Sequence, residues 1–159
     1  MIREMLGIAE GILQDLHNDH SEVYSLLETI RDCTVPAERM RLFTEMKGKL
    51  LPHLQAEQEV LYQRLQGGKS EEARRFSHEG TSEHEAAERQ VEKMSQLGTA
   101  TGDRWEGELK VLIDLIDHHV DEEESTGFSC ARDEFSTNQL SAMREEFRTR
   151  KAQIGTGVA

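Results

Sequence analysis

The sequence predicts an all-α protein: an up-down-up-down four-helix bundle with a short additional helix at its C-terminal end. The composition favours helix over sheet, because Glu is abundant, β-branched residues are few and only two of the 159 residues are Pro. Apolar residues recur every three or four positions along most of the chain, which is the spacing of one helix face. We expect one domain, residues 1–159, large enough to bury a hydrophobic core.

Two helices are predicted in the first half of the chain, over residues 2–31 and 37–66. Pro36 suits the first turn of the second helix, whereas Pro52 inside that helix should kink it or loosen one turn just before His53. Both inner faces are apolar stripes interrupted by a few polar residues: Leu13, Leu16, His20, Val23, Leu27 and Ile30, then Met40, Phe43, Leu50, His53, Glu57, Leu61 and Leu65.

Three further helices are predicted over residues 71–97, 103–125 and 137–151. Ser70 before an acidic turn is a plausible N-cap for the third helix, and the fourth should end around Ser125 to Gly127. Their inner faces are again mostly apolar: Ala73, Phe76, Gly80, His84, Ala87, Val91 and Met94, then Trp105, Leu109, Leu112, Ile116, His119 and Glu123, and finally Leu140, Met143 and Phe147.

Charge and hydropathy exclude several classes of function. The net charge of -12 argues against nucleic acid and against anionic membrane surfaces as partners. No apolar stretch approaches the roughly 18 residues of a membrane-spanning helix, and the N-terminus does not resemble a signal peptide. Cys33 and Cys130 match no metal-binding spacing and suit free thiols in a reducing compartment. We therefore expect a cytoplasmic protein, as a monomer or weak homodimer.

The most informative motif is His-x-x-x-Glu, which occurs at His53–Glu57 and again at His119–Glu123. A spacing of four residues places both side chains on the same helix face, one turn apart. A single His precedes each copy, namely His20 and His84, and the four His are 33, 31 and 35 residues apart in order. Such gaps correspond to one helix and one turn, so a duplicated helical hairpin would bring all six residues to one level of the bundle.

These polar residues lie on apolar stripes, which points to metal binding. A buried carboxylate without a partner costs several kcal/mol, and the inner stripes offer no obvious Lys or Arg. A single His on such a stripe more often bonds to a backbone carbonyl, and an isolated His–Glu pair is commonly exposed. The matching order of all six residues favours metal: His20, His53, Glu57, His84, His119 and Glu123. His17, His78 and His118 are interpreted as surface or outer residues.

The types of ligand narrow the choice of metal. Imidazole and carboxylate without thiolate suit iron, manganese or zinc, of which iron is the first choice. Six protein ligands for two ions that each prefer five or six bonds leave positions open for water, hydroxide or a small gas. Open positions indicate reactivity instead of a purely structural role.

These residues, taken in order, resemble the hemerythrin family, and specifically its bacterial members with an HHE cation-binding domain. HLQAEQEVLYQRL, which begins at His53, and HHVDEEESTGFSCAR, which begins at His118, are similar to segments of that family. The similarity covers nearly the whole chain, about Ile12 to Arg150. It implies a hemerythrin-like bundle with two iron ions, oxo- or hydroxo-bridged in the resting state. His20 and His53 would then bind one iron, His84 and His119 the other, and Glu57 and Glu123 would bridge them.

The chain also departs from the family pattern. Oxygen-carrying members have a further His at the position of Gly80, so one iron would gain an exchangeable position or take His78 or Glu83 as a ligand. In the family the Glu of the motif is usually followed by a second Glu, whereas here Glu57 is followed by Gln58. The missing His at Gly80 favours redox chemistry with a small oxidant over reversible oxygen carriage.

Two classes of function remain open from the sequence. The first is a di-iron protein that binds or consumes oxygen, hydrogen peroxide or nitric oxide, with catalase-like decomposition of peroxide favoured and a role in oxidative stress. The second is a module that senses iron or oxygen, or binds metal, without catalytic turnover. Iron storage would need assembly into a cage, which nothing in the sequence indicates.

Overall fold

The protein is a bundle of helices whose inner side chains pack against one another around a common axis. The computed structural model describes residues 10–157, and within that range it contains helices and no strand. The helices, in order, are α1 (Ile12–Asp32), α2 (Pro36–Glu57), a π-helical segment (Gln58–Tyr62), α3 (Gln63–Gln66), α4 (Glu71–Ser95), α5 (Asp103–Glu122), a second π-helical segment (Glu123–Gly127), α6 (Phe128–Glu134) and α7 (Thr137–Gly155). Helix α1 packs on α2 and α4 packs on α5, while α7 covers both α1 and α2. None of the described helices is long and apolar enough to cross a membrane.

The described part of the first predicted helix, 2–31, begins at Ile12. Residues 2–9 lie outside the described residues, and Glu10 and Gly11 are not helical. Gly11 interrupts any helical continuation, because its φ is +52°. A side chain there would also collide with the backbone of Leu140 and Ser141 in α7. The close crossing of α7 therefore requires glycine at the start of α1.

The other boundaries follow from capping residues. The Ser70 hydroxyl accepts a hydrogen bond from the backbone N–H of Ala73 and so caps α4, as the sequence predicted. Ser136 and Gln139 form a reciprocal capping box at the start of α7. Helix α7 runs on to Gly155, four residues beyond the predicted end, and α4 stops at Ser95 instead of residue 97.

The fourth long helix does not end at Gly127. Its backbone passes without a break from α5 through the second π-helical segment into α6, which ends at Glu134. Gly127 keeps helical angles, with φ −60° and ψ −48°, and its bare face contacts the ring of Phe76. Glycine serves close packing at this point and does not stop the helix.

Pro52 has no visible effect on the extent of its helix. Helix α2 continues through Pro52 to Glu57, and the departure from α-helical hydrogen bonding comes one turn later, at Gln58–Tyr62. The two π-helical segments hold equivalent places: one follows Glu57 directly, and the other starts at Glu123. Single-turn π segments inside α-helices are frequent at functional sites.

The hydrophobic core consists of two clusters separated by a polar layer. One cluster contains Leu13, Leu16, Leu61, Phe128 and Phe147, and the other contains Val23, Leu54, Val91, Trp105 and Ile116. His20 in α1 and His84 in α4 fall between members of the two clusters, and the motif residues of the other two long helices lie where one cluster gives way to the other. The polar layer is therefore sealed by apolar packing from above and below.

Cys33 and Cys130 both carry free thiols.

Candidate metal centre

The structure brings the six sequence-predicted residues together in two groups. The first group is His20, His53, Glu57 and Glu123, and the second is Glu57, His84, His119 and Glu123. Within each group, one nitrogen or oxygen from every member lies within 4.8 Å of the others. All six residues are buried, and both Glu side chains are fully inaccessible to solvent. The two groups share both carboxylates, which lie between the two pairs of imidazoles.

The distances match the spacing of ligands around a common cation. In the first group, the Nε2 atom of His20 lies 3.1 Å from Oε1 of Glu123, and Nε2 of His53 lies 3.3 Å from Oε2 of Glu57. In the second, Nε2 of His84 lies 3.0 Å from Nε2 of His119 and 3.4 Å from Oε2 of Glu57. Two metal–ligand bonds of about 2.1 Å at a right angle would separate their ligand atoms by about 3.0 Å.

Several of these atoms lack hydrogen bonds inside the protein. They are both ring nitrogens of His20, Nε2 of His53, both carboxylate oxygens of Glu57 and Oε1 of Glu123. They approach one another at ion-pair distances without the alignment of a hydrogen bond. Buried polar atoms are almost always paired, so these unpaired atoms need an explanation. Nδ1 of His20 lies toward Glu124, outside the two groups. Two cations, one in each group, would satisfy the other five atoms.

Burial and neighbouring charges perturb the pKa values of His20, Glu57 and His84. Burial by itself lowers the pKa of His20, but its contacts with Glu123 and Glu124 outweigh burial and raise the pKa to about 10. Burial opposes ionisation of Glu57, yet its neighbours, chiefly Glu123 and His53, bring its pKa down to about 2. Burial and the adjacent His119 hold the pKa of His84 well below its usual value. The carboxylates around His20 therefore favour positive charge at that position, which a bound cation would also supply.

Side chains outside the two groups orient the imidazoles through their Nδ1 atoms. The Asp19 carboxylate lies 2.9 Å from Nδ1 of His53, and the Glu83 carboxylate lies 2.9 Å from Nδ1 of His119. The amide oxygen of Gln58 accepts from Nδ1 of His84 at 2.8 Å. Nδ1–H donation to an oxygen leaves Nε2 free to bind a metal and fixes the ring in the required orientation.

These outer contacts follow the duplication seen in the sequence. Asp19 and Glu83 each precede the single His of their hairpin, and each contacts the His of the His-x-x-x-Glu motif in that same hairpin. Gln58 and Glu124 each follow a motif Glu, and each faces the single His of the opposite hairpin; Oε2 of Glu124 lies 3.7 Å from Nδ1 of His20. The alignment of Asp19-His20 with Glu83-His84 was the signal that could have identified the first pair.

Tyr62 fills the space that the sequence left open beside Gly80. A Cβ atom on Gly80 would lie 2.7 Å from Cε2 and 2.9 Å from the hydroxyl of Tyr62. The Tyr62 hydroxyl donates a hydrogen bond to Glu123, and its ring stacks on His84 with 5.0 Å between centroids. The Tyr62 phenol therefore occupies the space that a side chain at residue 80 would need, and an exchangeable position on one ion stays a prediction. Nothing in the sequence pattern connected residues 62 and 80.

The remaining His residues lie outside the two groups. His78 is exposed and does not replace the missing His. Glu83 contacts His118 and His119 and acts as a hydrogen-bond partner of the site. His17 contacts Glu124, so it belongs to the outer surroundings of His20.

A helical bundle whose buried layer holds two His/Glu groups with shared carboxylates defines a class of cation-binding proteins. The family model "Hemerythrin HHE cation binding domain" matches residues 11–131. The chain belongs to this family.

A curated relative is much longer than this chain. It is a DNA nickase from Nostoc sp. (strain PCC 7120 / SAG 25.82 / UTEX 2576), 28% identical over 143 residues, which are 89% of this chain and 40% of the relative. The chain thus spans about two fifths of that protein's length. No solved structure matches the chain.

Proposed function

We propose that this chain is a non-haem di-iron protein that binds or reacts with a small oxidant: oxygen, hydrogen peroxide or nitric oxide. The observation that carries the proposal is the pair of buried groups that share both carboxylates. The ligands would be His20 and His53 for one ion, His84 and His119 for the other, and Glu57 and Glu123 for both. Imidazole and carboxylate donors suit iron, with manganese and zinc as the alternatives.

The bound iron would supply the exchange of electrons with the oxidant. The protein's own residues hold the ligands in place and exclude water from a layer sealed by apolar clusters. The Tyr62 hydroxyl adds a proton donor next to Glu123. Burial and the nearby carboxylates raise the pKa of Tyr62 well above its usual value, so it stays protonated and neutral at physiological pH.

Decomposition of hydrogen peroxide is the favoured reaction. Two molecules of peroxide give one of oxygen and two of water, so one molecule is oxidised while the other is reduced. The electrons balance between the two substrate molecules, and no external reductant is needed. A centre with two metal ions side by side suits such a two-electron exchange.

Metal analysis tests the proposal. After expression in iron-rich medium, we expect close to two iron ions per chain, and a loss of metal when His53 or His119 is replaced by Ala. Iron-loaded protein should release oxygen from hydrogen peroxide, and His84→Ala should abolish this activity. Fewer than about one ion per chain would contradict the metal assignment.

The second candidate function is an iron- or oxygen-sensing module without turnover. The observation that favours it is the length of the relative, in which the matched region is only 40% of a longer protein. A loaded protein whose optical spectrum responds to oxygen or nitric oxide, but which does not consume peroxide, would select this function.

The finer features of the fold belong to the same proposal. We propose one domain over residues 1–159 in which the four long helices alternate in direction, up-down-up-down. A monomer or weak homodimer in the cytoplasm stays a prediction. The net charge of -12 argues against nucleic acid as a partner, although the relative is a DNA nickase.

A further inference from the structure

The C-terminal helix α7 (Thr137–Gly155) reaches the candidate metal centre from outside the region matched by the family model, which ends at residue 131. It is fixed to the bundle by buried apolar residues and by ion pairs. Arg144 and Arg148 both bind Asp15 of α1, at 2.9 and 2.6 Å. Since the helix is anchored along its length, its inner side chains have defined positions against the bundle.

Two of those side chains support His53. The Nζ atom of Lys151 lies 3.0 and 2.8 Å from the two carboxylate oxygens of Asp19, whose Oδ2 in turn lies 2.9 Å from Nδ1 of His53. The buried ring of Phe147 meets the imidazole of His53 edge-on, with 5.7 Å between centroids. Lys151 also lies over the Phe147 ring, at 5.0 Å. The helix therefore contacts the imidazole directly and through its hydrogen-bond partner.

We infer that α7 is a positioning element for one metal position, in which Lys151 and Phe147 orient His53. The inference rests on the proposed metal binding. An imidazole ligand needs its Nδ1 partner fixed so that Nε2 points at the metal, and losing such a partner typically lowers metal affinity about 10- to 100-fold. Lys151 fixes the Asp19 carboxylate in place, and Phe147 limits rotation of the His53 ring.

Within residues 10–157, α7 gives the other metal position no equivalent support. The counterpart of Asp19 is Glu83, which contacts His119. The second partner of Glu83 is His118, a neighbour of His119 on α5, and 63% of the His118 side chain is exposed. Helix α7 thus makes the two halves of the centre unequal. Weakening its contacts should first affect the metal position formed by His20 and His53.

Iron retention tests the inference. Wild-type protein and variants are loaded with iron(II) without air and dialysed against rising concentrations of a chelator, and the iron per chain is measured. For Lys151→Met we expect the first ion to leave at about tenfold lower chelator concentration than in the wild type. Asp19→Asn should behave alike, and adding Lys151→Met to it should change nothing further, because both act through one contact.

Two further variants separate positioning from general stability. Lys110→Met removes an exposed ion pair with Asp114 on α5 and should retain iron as the wild type does. Lys151→Arg should restore retention, because the Lys151–Asp19 pair borders a cavity of about 380 Å³ with room for the longer side chain. The melting temperatures of the metal-free variants should agree within about 3 °C, which shows that the fold is intact.

The inference is overturned if Lys151→Met retains iron as Lys110→Met does, or if Lys151→Arg loses iron as readily as Lys151→Met. A wild-type protein that binds no iron would instead contradict the proposed function, so the two failures can be told apart.

Discussion

Tyr62 connects three parts of the centre through one side chain. Its hydroxyl binds Glu123, its ring stacks on His84, and its edge lies where a side chain at residue 80 would be. In the other half of the duplication the equivalent residue is Phe128, which has no hydroxyl to offer. The two halves therefore present different chemistry to the shared carboxylates.

Gly80→Ala should destabilise the protein, although Ala is normally the better helix former. The new Cβ would lie 2.7 Å from the ring of Tyr62, which cannot move without disturbing Glu123 and His84. We expect a loss of about 1–3 kcal/mol in the free energy of unfolding. The control is Gly107→Ala in α5, where nothing lies within 4 Å. That change should instead stabilise by about 0.5–1 kcal/mol, as measured by urea denaturation. Equal effects would show that Tyr62 yields easily.

Tyr62→Phe should lower the stability of the metal-free protein, because it removes the hydrogen-bond donor to the fully buried carboxylate of Glu123. An unpaired buried acceptor costs about 1–3 kcal/mol, and we expect that decrease in the free energy of unfolding after chelation. Tyr24→Phe, a change at a half-buried position in α1, is the control and should shift stability by less than about 0.5 kcal/mol. If the two variants unfold alike, the hydrogen bond to Glu123 contributes nothing.

Sequence periodicity could identify the six central residues because each is a polar residue on an apolar stripe. Their outer partners do not have that property: Asp19 and Glu83 are only half-buried, and each acts on a residue more than 30 positions away. In the sequence, Gln58 differs from the family pattern, but nothing there indicates that it orients His84. Contacts that join different helices depend on rotation and register, which the periodicity of one helix does not determine.

At the scale of elements, the sequence did not predict the π-helical segments or the helical conformation of Gly127. A π-helical turn has no amino-acid pattern that separates it from an α-helix. The sequence therefore could not distinguish Gln58–Tyr62 from ordinary α-helix. Gly127 was interpreted as a helix end because glycine usually marks one, whereas here it accommodates the ring of Phe76. In both places packing between helices determined the outcome.

The docking of α7 should be sensitive to acid through Asp15. Burial raises the pKa of Asp15, but hydrogen bonds from Arg148 and Arg144 outweigh burial and lower it below the usual value. A lowered pKa contributes stability above the unfolded-state value of about 3.9, and that contribution is lost as pH falls through the folded-state pKa. Asp15→Asn should therefore cost about 1–3 kcal/mol at pH 7 and progressively less below about pH 4.

Urea denaturation at several pH values measures this difference. Asp114→Asn, which affects an exposed ion pair, is the matched control and should cost less than about 1 kcal/mol at every pH. A difference between wild type and Asp15→Asn that stays constant down to pH 3 would show that the arginine contacts do not lower the pKa of Asp15.

At the scale of the whole molecule, the polar layer divides what would otherwise be one continuous core. The two apolar clusters seal it on both sides, and its charged groups are inaccessible to solvent. The sequence could predict this arrangement, because the site residues fall at corresponding depths on four helices. Under the proposed function, folding of the bundle and binding of cations are thermodynamically linked, because any ion bound only by the folded state stabilises that state.

Removing the metal should lower the melting temperature by roughly 10 °C. Without cations, Glu57 and Glu123 remain buried among imidazoles, a loss of several kcal/mol, and each kcal/mol corresponds to about 2–4 °C in a protein of this size. Glu57→Leu provides the matched variant, because it removes a carboxylate that both ions would share. Its melting temperature should therefore change little when iron(II) is added. Calorimetry with and without chelator measures both effects. If chelation leaves the wild-type melting temperature within about 2 °C, the buried carboxylates do not hold ions.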